Sequence, residues 1–66
     1  MNTPTKSLEV IRVTMDLPKR EMARRLGISL DRYNRLVTGE SKMLATEMIT
    51  LHKISGVPYE EISIKA

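Results

Sequence analysis

Basic side chains are the chemically distinctive feature of this sequence, and they concentrate in its middle third. Residues 19–42 carry a formal charge of +4, whereas residues 1–18 sum to zero and residues 43–66 to −1. Such a cluster favours a polyanionic partner, and the alternative is a solvated helix face without a partner. The cations are Lys19, Arg20, Arg24, Arg25, Arg32, Arg35 and Lys42, accompanied by Glu21, Asp31 and Glu40.

The residue types do not favour catalysis or metal binding. The chain has no cysteine, and His52 is its single histidine, so neither a disulfide framework nor a thiolate zinc site is expected. We find no paired catalytic groups and no glycine-rich phosphate loop. The sequence therefore predicts a protein that is not an enzyme and uses no metal, cofactor or small-molecule substrate. His52 is predicted to be a partly buried structural residue.

The length of the chain and the positions of its glycines and prolines predict one all-α domain over residues 1–66, with its core in about 6–62. A chain of 66 residues buries too little surface for a second core. Glycines and prolines divide it into five predicted helices: 6–16, 18–26, 29–37, 44–55 and a short turn after residue 58. Predicted inward residues are Leu8, Ile11, Met15, Met22, Ala23, Leu26, Tyr33, Leu36, Val37, Leu44, Met48, Leu51 and Ser55.

The second and third predicted helices are separated by only three residues, Gly27, Ile28 and Ser29. This is the spacing of a helix-turn-helix, with Gly27 allowing the turn and Ser29 as an N-cap. The third helix would then direct one polar face outward, and its exposed start fits the major groove of B-DNA. The residues predicted on that face are Leu30, Asp31, Arg32, Asn34 and Arg35.

Together these residues resemble the Cro/CI family of helix-turn-helix domains, also called the XRE family, over roughly residues 8–62. The resemblance is ungapped and implies a compact, lambda-repressor-like, five-helix fold. The matching positions are Leu8, Ile11, Arg12, Leu17, Met22, Ala23, Leu26, Gly27, Ile28, Ser29, Tyr33, Leu36, Gly39, Gly56 and Val57.

The resemblance implies roles for the outward residues on DNA. Arg32 and Arg35 would bond guanine O6 and N7, or alternatively phosphate. Asn34 would read adenine or touch the backbone, Asp31 would accept from cytosine N4, and Leu30 would meet a thymine methyl group or pack on the preceding turn. Phosphate contacts are predicted for residues near helix N-termini, namely Lys19, Arg20, Ser29 and Lys42.

Several positions depart from the family pattern. Pro18 stands at the usual capping serine, and Lys19 stands at a usual glutamine. Val37 replaces the glutamate that commonly pairs with the first-helix arginine, so Arg12 is expected to find Asp16 or Glu40, to remain solvated, or to contact DNA. With His52 and Ser55 also departing from the pattern in the fourth helix, we expect a domain of marginal stability.

The end of the chain carries an apolar edge that the small core is not expected to cover fully. An exposed apolar patch often marks an interface, so we predict homodimerisation through this end. The predicted contacts are Tyr59, Ile62 and Ile64.

The combined expectation is a Cro-type repressor of phage or plasmid origin that binds a palindromic operator as a dimer and blocks polymerase. It would act in the cytoplasm of a bacterial or phage-infected cell, on the nucleoid when bound, because no apolar run approaches the roughly 20 residues of a membrane span and no signal peptide is evident. One alternative is a DNA-binding antitoxin with a toxin partner. Another is a protein-interaction module, such as an antiactivator, that no longer binds DNA.

Overall fold

Four α-helices and one 3₁₀ turn make up the described part of the protein. The computed structural model describes residues 6–63, which contain no strand. The elements are α1 (Leu8–Thr14), α2 (Lys19–Leu26), α3 (Leu30–Thr38), α4 (Ala45–Ser55) and the 3₁₀ turn Tyr59–Glu61. The all-α prediction is therefore confirmed, and the fifth predicted element is a single 3₁₀ turn. No helix in this range is both long and apolar enough to cross a bilayer.

Two of the helices begin at serine N-caps. Ser7 Oγ accepts from the Val10 N–H at 3.3 Å, and Ser29 Oγ accepts from the Arg32 N–H at 3.1 Å, so one otherwise unpaired donor is satisfied at each start. The prediction of Ser29 as an N-cap is confirmed. The other two helices follow Pro18 and Leu44, whose backbones are extended and whose side chains accept no capping hydrogen bond.

Left-handed residues end the helices where the sequence predicts a stop. Gly27 adopts φ +74°, which glycine tolerates at little cost because it has no Cβ, and Gly39 and Gly56 end α3 and α4. Asp16 has φ +57°, a conformation that Asp adopts more readily than most residues. It follows Met15, the C-cap of α1, so the helix predicted to reach residue 16 ends at Thr14.

The core lies between all four helices. Tyr33 and Leu51 are completely buried in it. Its buried members are Leu8, Ile11, Met22, Ala23, Leu26, Tyr33, Leu36, Met43, Leu51 and Ile62. The prediction of Leu44 as an inward residue of the fourth helix is wrong, because Leu44 is the N-cap of α4 and is 57% exposed. Val37, Met48 and Met15 are only partly buried.

Backbone pairing ties the start of the described chain to its end. Lys6 N–H donates to Glu61 O at 2.9 Å, and Ser63 N–H donates to Lys6 O at 2.9 Å, forming one parallel bridge between Lys6 and Ile62. The bridge places the Ile62 side chain in the core at 3% exposure. The prediction of Ile62 as a dimer contact is therefore wrong, because its side chain is buried in the core of a single chain and is not accessible to a partner.

Candidate functional site

The most distinctive local arrangement is the α2–α3 unit, in which α2 and α3 are joined by residues 27–29. Ile28 N–H donates to Ala23 O at 3.0 Å, so the turn continues directly from the end of α2. Ala23 and Leu26 of α2 and Tyr33 and Leu36 of α3 belong to the same core cluster. The inward stripes therefore hold the two helices together, and the opposite side of α3 is left toward solvent.

We call that side the α3 outer face. It consists of exposed side chains at positions spaced three and four residues apart, which is the spacing of one helix face. Its members are Leu30, Asp31, Asn34, Arg35 and Thr38. Four of the five residues predicted to point outward are among them.

Arg32 is the exception, and the prediction that it points outward is wrong. Its Nε donates to Glu47 Oε2 at 2.7 Å and its Nη2 to Glu47 Oε1 at 2.9 Å, so the two planar groups meet through two parallel hydrogen bonds. Nη2 also approaches Lys42 O at 3.4 Å. The Glu47 side chain is only 6% exposed. Arg32 therefore fastens α3 to the first turn of α4 and to the loop before it.

Glu47 is a residue that the sequence interpretation missed. Its Oε1 also accepts from the Leu44 N–H at 2.7 Å, and it stands at the third position of α4, where a glutamate commonly bonds back to the N-cap backbone. That position was a signal for the cap but not for the pairing with Arg32. The hydrogen bonds from Arg32 lower the pKa of Glu47, burial opposes that shift, and the Leu44 N–H adds to the lowering.

A second network fastens α3 to α1. Arg12 Nε and Nη2 donate to Glu9 at 3.0 and 3.1 Å, Nη1 donates to Leu17 O at 2.7 Å, and the Tyr33 hydroxyl donates to Glu9. The expected fates of Arg12, a bond to Asp16 or Glu40, solvation or DNA contact, are thus wrong. Glu9 was missed, although its spacing of three residues from Arg12 was a signal.

Ionisation in this second network follows from its contacts. The hydrogen bonds from Arg12 lower the pKa of Glu9, burial opposes that shift, and the bond from Tyr33 adds to the lowering. Burial raises the pKa of Tyr33, and so does its bond to the Glu9 carboxylate, so the hydroxyl keeps its proton. The protonated hydroxyl remains a donor to Glu9 across the α1–α3 boundary.

Arg35 lies on the α3 outer face between two carboxylates, which we call the acidic bracket. Its Nη2 is 3.2 Å from Asp31 Oδ2, and its Nε is 3.7 Å from Glu40 Oε2. The three side chains are 55%, 76% and 71% exposed, in the order Arg35, Asp31 and Glu40. One cation against two anions leaves a net charge of −1 at the centre of the outer face.

Exposed cations also occur outside the acidic bracket. Lys19 and Arg20 are exposed in the first turn of α2, and Lys42 is exposed in the loop after α3. Within residues 6–63 none of these three makes an ion pair, whereas Arg24 and Arg25 share Glu21 at 3.9 and 3.2 Å. The N-cap Ser29 is exposed at the start of α3. All four residues predicted to contact phosphate thus remain accessible.

Two of the three predicted dimer contacts lie within the described residues, and they differ in burial. Tyr59 is 44% exposed and stacks on His52 with ring centroids 4.1 Å apart, Ile62 is in the core, and Ile64 lies outside the described residues. His52 is partly buried, as predicted, and its Nδ1 lies 2.7 Å from Val57 O. Because a carbonyl oxygen only accepts, that nitrogen carries the proton.

Residues 6–63 bring together no group of three histidine or acidic side chains that could hold a metal ion. The site is thus a surface of hydrogen-bonding groups on α3, accompanied by exposed cations on α2 and in the loop after α3, and supported from behind by two arginine–glutamate networks. Compared with family models, curated proteins and solved structures, the chain gives no match.

Proposed function

We propose that this protein is a sequence-specific regulator of transcription that binds duplex DNA through α3, in the manner of the Cro/CI helix-turn-helix domains that its sequence resembles. The observation that carries the proposal is the α2–α3 unit, with its three-residue turn and an exposed outer face on the second helix. A helix presented in this way fits the major groove, which is wide enough to admit it. In this proposal the fold is lambda-repressor-like, and the 3₁₀ turn Tyr59–Glu61 takes the place of a fifth helix.

Base contacts are assigned to the α3 outer face. Arg35 bonds guanine O6 and N7, Asn34 bonds adenine or the backbone, Asp31 accepts from cytosine N4, and Leu30 meets a thymine methyl group. Arg32 is not included, because the Nε–Nη2 edge of its guanidinium is already bonded to Glu47. It is instead a positioning residue that holds α3 against α4.

Phosphate contacts are assigned to Lys19, Arg20, Ser29 and Lys42. The three cations are exposed and make no ion pair within residues 6–63, so meeting phosphate breaks no internal contact. Cations that neutralise phosphates release counterions, which supplies affinity without reading sequence. These cations would therefore set the strength and salt dependence of binding, and the α3 outer face would set the preference for particular DNA sequences.

We further propose that the protein binds a palindromic operator as a homodimer and represses by blocking polymerase. Tyr59 is the predicted dimer contact that lies exposed within residues 6–63. Two copies would place two α3 helices in successive major grooves, about one helical turn apart. Acting on a bacterial or phage operator, the protein would work in the cytoplasm.

Selection of bound sequences from a pool of random duplexes tests the proposal directly. We expect enrichment of one motif with two-fold symmetry, and Arg35→Ala should weaken binding by about 1–3 kcal/mol and relax preference at one base pair. Arg20→Ala is the matched control, which should weaken binding to selected and random duplexes alike. Absence of binding to any duplex at low salt would contradict the proposal.

One observation favours a second candidate, a protein-interaction module that does not bind DNA. The centre of the α3 outer face carries a net negative charge, since Arg35 is flanked by Asp31 and Glu40. These carboxylates repel phosphate and attract cations, so a basic surface of another protein would also bind this face. The same low-salt titration separates the two candidates, because an interaction module gives no salt-dependent duplex binding.

A further inference from the structure

The acidic bracket poses a problem for a DNA-binding face, because it places two carboxylates where phosphates would approach. Asp31 lies one helical turn before Arg35 on α3, and Glu40 follows the left-handed Gly39 that ends the helix. Both form ion pairs with Arg35, at 3.2 and 3.7 Å, from opposite directions along the chain. In the unbound protein, Arg35 is therefore already occupied by anions.

These contacts contribute little to the fold. All three side chains are more than half exposed, and exposed ion pairs are screened by water and salt. The contrast is Arg32, three residues earlier, whose partner Glu47 is 6% exposed. Arg35 can thus leave the bracket without disturbing the core, but the two carboxylates remain on the outer face when it does.

On this basis, and resting on the proposed function, we infer that Asp31 and Glu40 are specificity-determining residues that suppress binding to non-target DNA by competing for Arg35. To contact a random duplex, the wild-type Arg35 would have to exchange two carboxylates for one phosphate, and both carboxylates would then face the DNA backbone, so Arg35 stays in the bracket. Nothing in that exchange compensates for the repulsion between carboxylate and phosphate.

On a target sequence, the DNA bases offer new partners both to Arg35 and to one of the two carboxylates. Guanine offers O6 and N7 to both donors of one guanidinium, and a neighbouring cytosine N4 donates to a carboxylate such as Asp31. The released arginine and one bracket residue then both acquire partners in the groove. The bracket should therefore penalise random duplexes more than the selected site.

The test compares Asp31→Asn/Glu40→Gln with a matched double variant, Glu60→Gln/Glu61→Gln. Both change the net charge by +2, but the control residues lie in the 3₁₀ turn, where Glu60 is exposed and the Glu61 side chain forms an ion pair with Lys6 at 3.6 Å. Binding to a random duplex of roughly 20 base pairs, long enough for two half-sites, is titrated over a series of salt concentrations. The duplex enriched by selection is titrated in parallel, and circular dichroism checks that each variant is folded.

We expect the bracket variant to bind the random duplex about tenfold more tightly at low salt, which corresponds to about 1.4 kcal/mol, because it removes two exposed repulsions between carboxylate and phosphate. Its plot of log affinity against log salt should steepen by about 0.9, since the freed Arg35 gains one phosphate contact. Affinity for the selected duplex should change less, so the ratio of selected to random binding falls. The control variant should change random binding by less than about twofold, because Arg35 is paired with Asp31 and Glu40 and with neither of the control carboxylates.

Equal gains in the bracket and control variants would overturn the inference, since net charge alone would then explain them. An unchanged salt slope together with an unchanged ratio of selected to random binding in the bracket variant would also overturn the inference. In that case, binding of the wild type to the selected duplex would still support the proposed function. If neither the wild type nor the bracket variant binds any duplex at low salt, the proposed function fails and the inference fails with it.

Discussion

Two kinds of arginine–carboxylate contact occur on the same helix, and burial separates them. Arg32 and Arg35 are both on α3, three residues apart, and each meets a carboxylate within 3.2 Å. The partner of Arg32 is almost fully buried and joins two helices, whereas the partners of Arg35 are largely exposed and local in sequence. The Arg12–Glu9–Tyr33 network belongs with the first kind, because Tyr33 is completely buried and connects α3 to α1.

The difference shows which charges are available for binding. Inner contacts, those of Glu47 and Glu9, hold α3 in place from its two sides, and their loss leaves polar groups without partners in a poorly solvated region. Outer contacts, those of Asp31 and Glu40, are readily exchanged for other partners. Two arginines that look equivalent in the sequence therefore have different uses, one structural and one proposed for binding.

Glu47→Ala should have the largest effect on stability. It removes the acceptor for the Leu44 N–H and both acceptors of Arg32, so we expect the free energy of unfolding to fall by about 2 kcal/mol, a large part of what so small a core provides. Urea denaturation followed by circular dichroism measures the change. Glu47→Gln keeps an amide oxygen as acceptor and should lose clearly less; an equal loss would show that a retained acceptor does not help and would contradict this explanation.

Tyr33→Phe should have the next largest effect, about 1.5 kcal/mol. The substitution keeps the buried ring but removes the donor to the Glu9 carboxylate, and hydrogen bonds to charged groups contribute more than neutral ones. The same urea titration applies. Tyr59→Phe, at an exposed tyrosine, is the matched control and should shift the midpoint little. Equal shifts of the urea midpoint in the two variants would contradict the assignment of the Tyr33 hydroxyl to the inner contacts.

Acid should weaken the inner contacts. The pKa values of Glu9 and Glu47 lie below their ordinary value of 4.5 in the folded protein, so near this pH the unfolded chain binds more protons. Their contribution to stability is complete above pH 4.5 and is lost as the pH falls through the lowered values. Urea midpoints measured downward from pH 7 should show this decline, and Glu47→Gln should make it shallower. A decline of the same steepness in that variant would argue against Glu47 as a source.

Asp31→Asn should have the smallest effect, under about 0.5 kcal/mol, because its contact with Arg35 is exposed to solvent. Thermal unfolding monitored by circular dichroism is sensitive enough to bound the change. Glu40→Gln should behave in the same way. A loss comparable to that of Glu47→Ala would abolish the distinction between inner and outer contacts and would mean that the bracket belongs to the fold.

Local features of the sequence determined the helices and their ends. Gly27, Gly39 and Gly56 end helices where they were expected to, and Ser29 caps α3, because such signals act within one turn of backbone. The apolar spacing likewise placed Tyr33 and Leu36 inward. The outward direction of Leu30, Asp31, Asn34 and Arg35 follows from the same periodicity.

Only the tertiary structure decided which polar groups meet across elements. Arg32 lies 15 residues from Glu47, and Tyr33 lies 24 residues from Glu9, so no local spacing could indicate either contact. Ile62 became a core residue because the backbone of Lys6 pairs beside it. Periodicity gives the direction of a side chain from its own helix, but its partner depends on how the helices pack, and in so small a domain that packing determines which charges remain exposed.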